Sequence, residues 1–433
     1  MDIHRQHVMK TPFMLLPFAF AVILASFNLE AQPSEESQAT EIADTVHKLA
    51  GIVPADKELP YDVPEPARPL LTQLKHQLRD LVVNTLNDPA FRTADSTQLT
   101  GSVASRLRAA GIEVGGEHQP EYFGGIDGIN IVQPKGHPDL RAATTTIGVP
   151  CGADTSLYIF KRGIPAWIMI LAAESNNYAQ VDGAQGDFGF DISPPDENGL
   201  WFLITKKVPP WCTSNWSAVR YQVLRPGPAT DRPIILLNEE GDYRRYEAES
   251  LAVREHDFTL TNFGYQMLDG GILERICFHR YSVIGDRVTR VPPIAVLPQD
   301  FIDEWINLPW KEARRWSNPS AIDRLELWHS RLQRGTGEDW EKLHYYSEIE
   351  FVQPCNKPPS KWQIGIPLDS EKRQDKLPQE LYFTVAKGNG AFSMTDITPT
   401  RPLGCPGKAS PVNWPDPSLI EKELNQHLNS TPR

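Results

Sequence analysis

The chain has 433 residues, with 55 acidic and 43 basic side chains and a formal net charge of -12 at pH 7. A surplus of this size repels phosphate backbones and anionic lipid surfaces, and no basic run interleaved with aromatic residues offsets it locally. The sequence therefore predicts no nucleic-acid partner, and its length allows one large or two ordinary domains.

Residues 1–31 have the order of a secretory signal peptide. Arg5 and Lys10 precede an uncharged run over residues 13–27, which Pro17 interrupts. The run is shorter than the roughly 20 residues that a membrane-spanning helix needs. No cysteine follows it that could receive a lipid. We expect cleavage after Ala31, a secreted or periplasmic protein, and no stable membrane anchor after cleavage.

The remaining chain divides into segments of different composition. These are a flexible lead-in over residues 32–60, two N-terminal helices with a β-rich domain over 61–297, a helical insert over 298–340, a smaller β unit over 341–410 and a polar tail over 411–433. The lead-in contains one helical candidate, over residues 40–49. The insert separates the two β-rich parts of the chain.

Helices are indicated by apolar residues at three- and four-residue steps. Such a stripe over residues 70–86 predicts one helix, and a second is predicted from residue 96 or 97 to near residue 111. In the insert, Asp300 is predicted to cap a helix. The tryptophans of the insert recur at helical spacing and are predicted to pack into a core: Trp305, Trp310, Trp316 and Trp328.

After Gly115, strands separated by turns dominate. Sixteen candidates fall into four groups: 126–132, 142–149, 156–160 and 166–171; 187–192, 201–205, 219–224 and 234–237; 251–254, 258–265, 273–283 and 287–291; 345–352, 361–366, 381–385 and 391–397. Each group contains a hairpin with an aromatic residue, a nearby β-branched residue and a glycine-containing turn. The pattern predicts a mainly β fold of repeated four-stranded antiparallel sheets in propeller-like packing, with a large β-sandwich as the alternative.

The five cysteines lie at positions that favour disulfides over a metal site. They are Cys151, Cys212, Cys277, Cys355 and Cys405, and none forms a CxxC pair. Position along the chain suggests pairing Cys151 with Cys212 and Cys355 with Cys405, because each pair lies within one segment and each cysteine lies at a Pro- or Gly-rich turn. Each closed loop would stabilise the fold by roughly 4 kcal/mol in the chain-entropy model. Cys277 is then left as a small buried hydrophobic residue.

A loop within residues 200–226 joins two strand-like runs through consecutive prolines and contains Trp211, Ser214 and Trp216. These residues are candidates for a binding surface that recognises carbohydrate or protein. The alternative is structural, since aromatic rings packed over a disulfide commonly seal a loop against a core.

An acidic, glycine-rich segment over residues 181–191 contains Asp182, Asp187 and Asp191. Oxygen-rich loops of this kind bind calcium, which accepts carboxylates and backbone carbonyls. The segment lacks regular D-x-D-x-D-G spacing, and a turn with permissive glycines and solvated aspartates is the favoured interpretation. Calcium is the one cofactor considered, and no other is predicted.

Familiar catalytic spacings are absent from the sequence. There is no G-x-S-x-G elbow, no H-E-x-x-H pair and no glycine-rich phosphate cradle. A serine, a histidine and an acid can still converge from distant strands, and Ser214 or Ser217 with His256 or His279 are the candidates. The sequence predicts a secreted, non-catalytic binding or structural protein; the alternative is a secreted hydrolase with an acidic or Ser/His site in loops of the β array.

Overall fold

The computed structural model describes residues 35–115, 122–175, 177–212, 216–244, 250–268, 271–333, 351–357, 359–368 and 378–410. Within them lie six α-helices, grouped at the N-terminal side and between the third and fourth sheets. They are α1 (Glu35–Ala50), α2 (Ala67–Asn87), α3 (Ser96–Ala109), α4 (Pro298–Asn307), α5 (Trp310–Ala313) and α6 (Ile322–Gln333).

The described residues also form sixteen strands, in four antiparallel sheets of four strands each. Sheet 1 contains β1 (Ile126–Val132), β2 (Leu140–Val149), β3 (Gly152–Arg162) and β4 (Trp167–Ala173). Sheet 2 contains β5 (Asp187–Ile192), β6 (Leu203–Val208), β7 (Trp216–Ala229) and β8 (Arg232–Arg244). Sheet 3 contains β9 (Ser250–Val253), β10 (Asp257–Leu268), β11 (Gly271–Ile284) and β12 (Arg287–Arg290), and sheet 4 contains β13 (Phe351–Pro354), β14 (Lys361–Pro367), β15 (Glu380–Gly388) and β16 (Ala391–Thr398).

The prediction of a mainly β fold built from four-stranded antiparallel sheets is confirmed. In every sheet each strand pairs only with its neighbours in sequence, so all four sheets are simple meanders. Turn chemistry sets the strand ends. The second strand of sheet 2 ends at Val208, immediately before Pro209 and Pro210, which have no backbone N–H to continue the ladder.

Sheets 1 and 2, and sheets 2 and 3, face each other across apolar layers. One buried cluster lies between sheets 1 and 2, and another lies between sheets 2 and 3. A larger cluster joins the N-terminal helices to sheet 1, and the insert helices pack on sheet 4. Among the described residues the sheets do not close into a ring or a barrel, so the propeller-like part of the fold prediction is not established.

The helix predicted over residues 40–49 starts earlier and belongs to the core. Helix α1 buries Ile42 and Leu49 completely and packs on α2 and α3. The N-terminal helical layer therefore has three helices where two were predicted. The short apolar stripe of α1 is diluted by polar residues, which explains why the sequence reads as a flexible lead-in.

The insert follows the prediction except at its first cap. Trp305 and Trp316 are buried against sheet 4, together with Trp328. The N-cap of α4 is Leu297, and Asp300 lies one turn inside the helix, so its predicted capping role is wrong. The helix starts earlier because Pro298 suits the first helical position, where its missing N–H costs nothing.

Two disulfides connect the proposed pairs. Cys151, in the turn between β2 and β3, is bonded to Cys212 after β6, with Cα atoms 5.1 Å apart. This bridge joins sheet 1 to sheet 2. Cys355 and Cys405 follow β13 and β16 and close sheet 4 on itself. For Cys277 only the backbone is described, opposite Asn262 in sheet 3.

No helix in the described part of the chain is long and apolar enough to cross a membrane.

We expect removal of either disulfide to lower the free energy of unfolding by about 4 kcal/mol, because the two closed loops are of similar length. Urea denaturation of the Cys151→Ser/Cys212→Ser and Cys355→Ser/Cys405→Ser variants measures this loss. A loss below about 1 kcal/mol for either pair would contradict the loop-entropy account of that bridge.

Candidate functional site

Trp211, the first residue predicted to bind a ligand, is partly engaged within the fold. Its ring lies edge-on to Tyr61, with centroids 5.9 Å apart, and the adjacent Cys212 packs on the helical core through its disulfide. Tyr61 also bonds the carboxylate of Asp182. Burial and this hydrogen bond raise the pKa of Tyr61. Trp211 therefore helps to close the loop against the N-terminal segment.

The other predicted binding residues fall largely outside the described side chains. Ser214 lies outside the described residues. Trp216 is described only as the first residue of β7, paired with Arg244, and Ser217 only as its neighbour in the same strand, paired with Tyr243. The structure therefore leaves the roles of Ser214 and Trp216 as predictions.

The three aspartates proposed for calcium are spread along the segment. Asp182 lies in a short 3-10 helix (Val181–Gly183) beside Tyr61, and Asp187 is described only by its backbone, at the start of β5. Asp191 accepts the N–H of Ile192, and burial raises its pKa. Within the described residues no group of three or more His, Cys, Asp and Glu is arranged to hold a metal ion.

The two candidate histidines lie in different surroundings of sheet 3. His256 is exposed in the turn between β9 and β10, with Nε2 3.1 Å from the carboxylate of Glu255. His279, in β11, lies against Tyr221 of sheet 2, whose hydroxyl is 3.3 Å from Nδ1. These contacts place one histidine in solvent and the other at the layer between sheets 2 and 3.

A buried polar cluster links the N-terminal helices to sheet 1, and sequence reasoning missed it. Lys75 of α2 and Asp154 of β3 are each 1% exposed, with Nζ 3.5 Å from Oδ2. The same Oδ2 accepts the hydroxyls of Ser175, at 2.8 Å, and Tyr178, while Oδ1 accepts the N–H of Gln185 at 2.8 Å. Lys75 donates to both the hydroxyl and the carbonyl of Ser175, so every partner in the cluster is bonded.

The signal for this cluster is present in the sequence. Leu71, Leu74 and Leu78 define the apolar stripe of α2, and Lys75 lies within the same stripe at helical spacing. A lysine at a core position of a helix requires a buried counter-charge. The sequence alone could not show that Asp154, in a strand that starts 65 residues after α2, supplies it.

Ser175 is the one hydroxyl of this cluster that is not fully buried, and it lies 2.9 Å from Nζ of Lys75. Burial lowers the pKa of Lys75, although the charge of Asp154 opposes that shift. A lysine that becomes neutral can accept a proton from a neighbouring serine and make it a nucleophile. Here the hydroxyl proton of Ser175 is directed at Asp154 instead, and that carboxylate is already saturated with donors.

We expect Lys75→Met and Asp154→Asn each to cost about 3–5 kcal/mol of unfolding free energy, since each breaks a buried pair. The double variant should lose clearly less unfolding free energy than the sum of the two single losses, because it leaves neither charge buried without its partner. Urea denaturation of all four proteins measures the coupling. Arg79→Met, one turn further along α2, is the control; its partner Glu174 is partly exposed, and it should cost less than about 1 kcal/mol. Additive losses would contradict a coupled pair.

Four buried tyrosines resist ionisation. Burial raises the pKa of Tyr158 and Tyr178 beside sheet 1, and of Tyr221 and Tyr281 between sheets 2 and 3. Neighbouring groups add to burial for three of them: Glu174 for Tyr158, Asp154 for Tyr178 and Tyr281 for Tyr221. For Tyr281 the charge of Arg290 opposes the effect of burial on the pKa without reversing it. The folded chain therefore keeps these protons at a pH where the unfolded chain releases them.

The raised pKa values of these tyrosines make the free energy of unfolding depend on pH in the alkaline range. Above about pH 10 the folded state binds more protons than the unfolded state, so stability falls as pH rises. We expect the free energy of unfolding, measured in urea at pH 8, 10 and 11, to decrease more steeply in the wild type than in Tyr158→Phe. Phenolate absorbance should rise together with unfolding. Ionisation of all twelve tyrosines in the folded protein would contradict this expectation.

A second set of charged residues lies at the opposite end of sheet 1, around the β3–β4 hairpin. The guanidinium groups of Arg141 and Arg162 lie 5.2 and 5.3 Å from the ring centroid of Trp167. Asn87 at the end of α2 bonds both the N–H and the carbonyl of Trp167 and so fixes its backbone. Arg141 donates through Nη1 to the side chain of Gln133 at 2.7 Å.

Neither Arg141 nor Arg162 forms an ion pair with a carboxylate of the described residues, although Arg141 is only 8% exposed. The Nε of Arg141 is buried without a hydrogen-bond partner among the described residues. Burial and the charge of Arg162 lower the pKa of Arg141. By contrast, the buried cations Lys75 and Arg290 each lie against a buried carboxylate.

Two shallow clefts of about 570 and 510 Å³ run along α3. Their charged lining residues are Arg106, which both clefts share, and Glu36. Arg106 is held by the hydroxyl of Thr85 at 2.7 Å and by the carboxylate of Asp88 at 3.0 Å. The lining thus supplies no pair of acids for the glycosidase chemistry that requires two carboxylates.

No protein-family model and no curated protein matches this chain.

Proposed function

We propose that the chain is an exported, non-catalytic recognition protein that binds a carbohydrate or protein ligand at the β3–β4 end of sheet 1. The observation that carries this proposal is Arg141, a buried cation without a carboxylate partner in the described residues. A buried charge is costly unless it is paired. In a chain with net charge -12, the lack of a counter-ion among the described neighbours of Arg141 supports an anionic group supplied from outside.

Exposed apolar residues at the same hairpin support recognition. Ile164 at the tip is fully exposed, and Ile168 of β4 is 59% exposed. Arginine and tryptophan are enriched at binding hot spots, whereas lysine and the acids are depleted at interfaces. The loop with Trp211, Ser214 and Trp216 remains a second predicted binding surface.

Export is supported by two kinds of observation. The two disulfides are of the kind that persists in oxidising compartments. The charged start, apolar run and Ala31 of the sequence match a secretory signal.

The propeller-like arrangement of the sheets is part of the proposal. Each sheet is a four-stranded meander, as in a propeller blade, and sheets 1 to 3 contact each other in turn, β4 with β7 and β8 and then β8 with β10. A stacked β-sandwich uses the same contacts and remains the alternative.

A secreted hydrolase is the second candidate function, and the contact between Ser175 and Lys75 favours it. In this version Ser175 would be the nucleophile and Lys75 its base. The saturated state of Asp154 and the direction of the Ser175 proton argue for the structural interpretation of the cluster.

A fluorescent fluorophosphonate, which labels activated serines, distinguishes the two candidates. We expect wild type, Ser175→Ala and the control Ser102→Ala to show the same background labelling. Labelling of wild type and Ser102→Ala that disappears in Ser175→Ala would establish an activated Ser175 and overturn the non-catalytic proposal.

A further inference from the structure

We propose that the hairpin surface of Arg141, Arg162, Trp167 and Ile164 is a docking site for an acidic peptide segment of a partner protein. This inference rests on the proposed recognition function and specifies its ligand. The segment would place a carboxylate on the two guanidinium groups and an apolar side chain on the exposed hairpin tip.

Strand pairing places the two arginines with the indole. Arg162 is directly opposite Trp167 in the β3–β4 ladder, and Arg141 is opposite Phe160, two residues before Arg162 in β3. Because side chains alternate along a strand, Arg141, Arg162 and Trp167 lie on the same face of sheet 1. Phe160 is buried in the helical core cluster, so this face is the one that the N-terminal helices cover further along.

The acids of neighbouring elements are already engaged elsewhere. Asp88, next to Asn87, is bound by Arg106, and Glu174 after β4 accepts the hydroxyl of Tyr158. Asp139 meets Arg162 only through its backbone carbonyl, which accepts the Arg162 N–H at 2.8 Å. The described residues therefore hold two like charges at one indole without supplying the anion that would neutralise them.

The geometry of the guanidinium groups selects the chemistry of the ligand. Planar guanidinium groups bind carboxylates through paired N–H donors, and such charge-assisted hydrogen bonds are the strong ones. The Nη2 of Arg141 makes no hydrogen bond to any described residue, whereas Nη1 is held by Gln133. One nitrogen thus fixes the side chain and the other remains available to a ligand.

A peptide fits this surface better than a sugar. A sugar ring stacks on an open aromatic face, but both guanidinium groups lie over the indole of Trp167, which is itself half-buried. The adjacent Ile164 presents apolar surface, which stabilises a complex only when apolar groups of the ligand cover it. An acidic peptide segment carries carboxylates next to apolar side chains and so matches both the cationic and the apolar groups of this surface.

The test measures fluorescence polarisation of a short dye-labelled peptide of Glu-Glu-Leu repeats with the full-length oxidised protein. We expect Arg162→Gln to weaken binding roughly tenfold, as loss of a charge-assisted contact would. Ile164→Ser should weaken it several-fold. The control Arg287→Gln removes an exposed arginine from the β11–β12 turn and should leave affinity unchanged.

A peptide with Gln in place of Glu completes a double-mutant cycle with the Arg162→Gln variant. It should bind wild type as weakly as the acidic peptide binds Arg162→Gln, with no further loss in that variant. Thermal denaturation of each variant verifies that the fold is intact, and Arg162 is exposed, so its replacement leaves no buried group unpaired.

Other outcomes would overturn the docking site, the peptide ligand or the recognition function. Equal peptide binding by wild type and Arg162→Gln, or no peptide binding by the wild type, overturns the docking site. Binding of heparin that is lost in Arg162→Gln, without peptide binding, overturns the peptide in favour of a sulfated glycan and leaves the recognition function standing. Labelling of Ser175 overturns the recognition function itself, so the two failures are distinguishable.

Discussion

The ion pair between Lys75 and Asp154 is the constraint around which the N-terminal half of the molecule is built. Both side chains are withdrawn from water, which costs several kcal/mol per charge unless each partner is fully bonded. Three separate parts of the chain must therefore meet at this point: helix α2, strand β3 and the segment that contains Ser175, Tyr178 and Gln185. A shift of any of these parts would leave a buried charge uncompensated.

The same electrostatic rule distinguishes two kinds of buried cation in this chain by their partners. Lys75 and Arg290 are buried and paired, and both lie where elements from different layers meet. Arg141 is buried to a similar degree at the edge of sheet 1, but its fixed contacts are to a neutral amide, a backbone carbonyl and an indole. This difference in partners is the basis for proposing a ligand at the hairpin surface.

Local patterns in the sequence predicted most of the architecture. The four groups of four strands, both disulfide pairs and the helices α2 and α3 follow from side-chain periodicity, turn residues and cysteine position. The strand candidate over residues 345–352 lies mostly outside the described residues. What could not be predicted depends on contacts between distant segments. Lys75 lies on the apolar stripe of α2, but the sequence does not show that Asp154 is its partner. Arg141 and Trp167 are 26 residues apart and become neighbours only through the register of β2, β3 and β4.

The meander topology has a consequence for how the chain assembles. Because every strand pairs only with the strand before and after it, each sheet needs no residues from later in the sequence to complete its own ladder. Loop closure between nearby strands costs little entropy, and local pairing is the fast kind. Each four-stranded unit can therefore form while the following one is still being synthesised. The Cys151–Cys212 bridge, which spans two units, can close only after the second has begun to emerge.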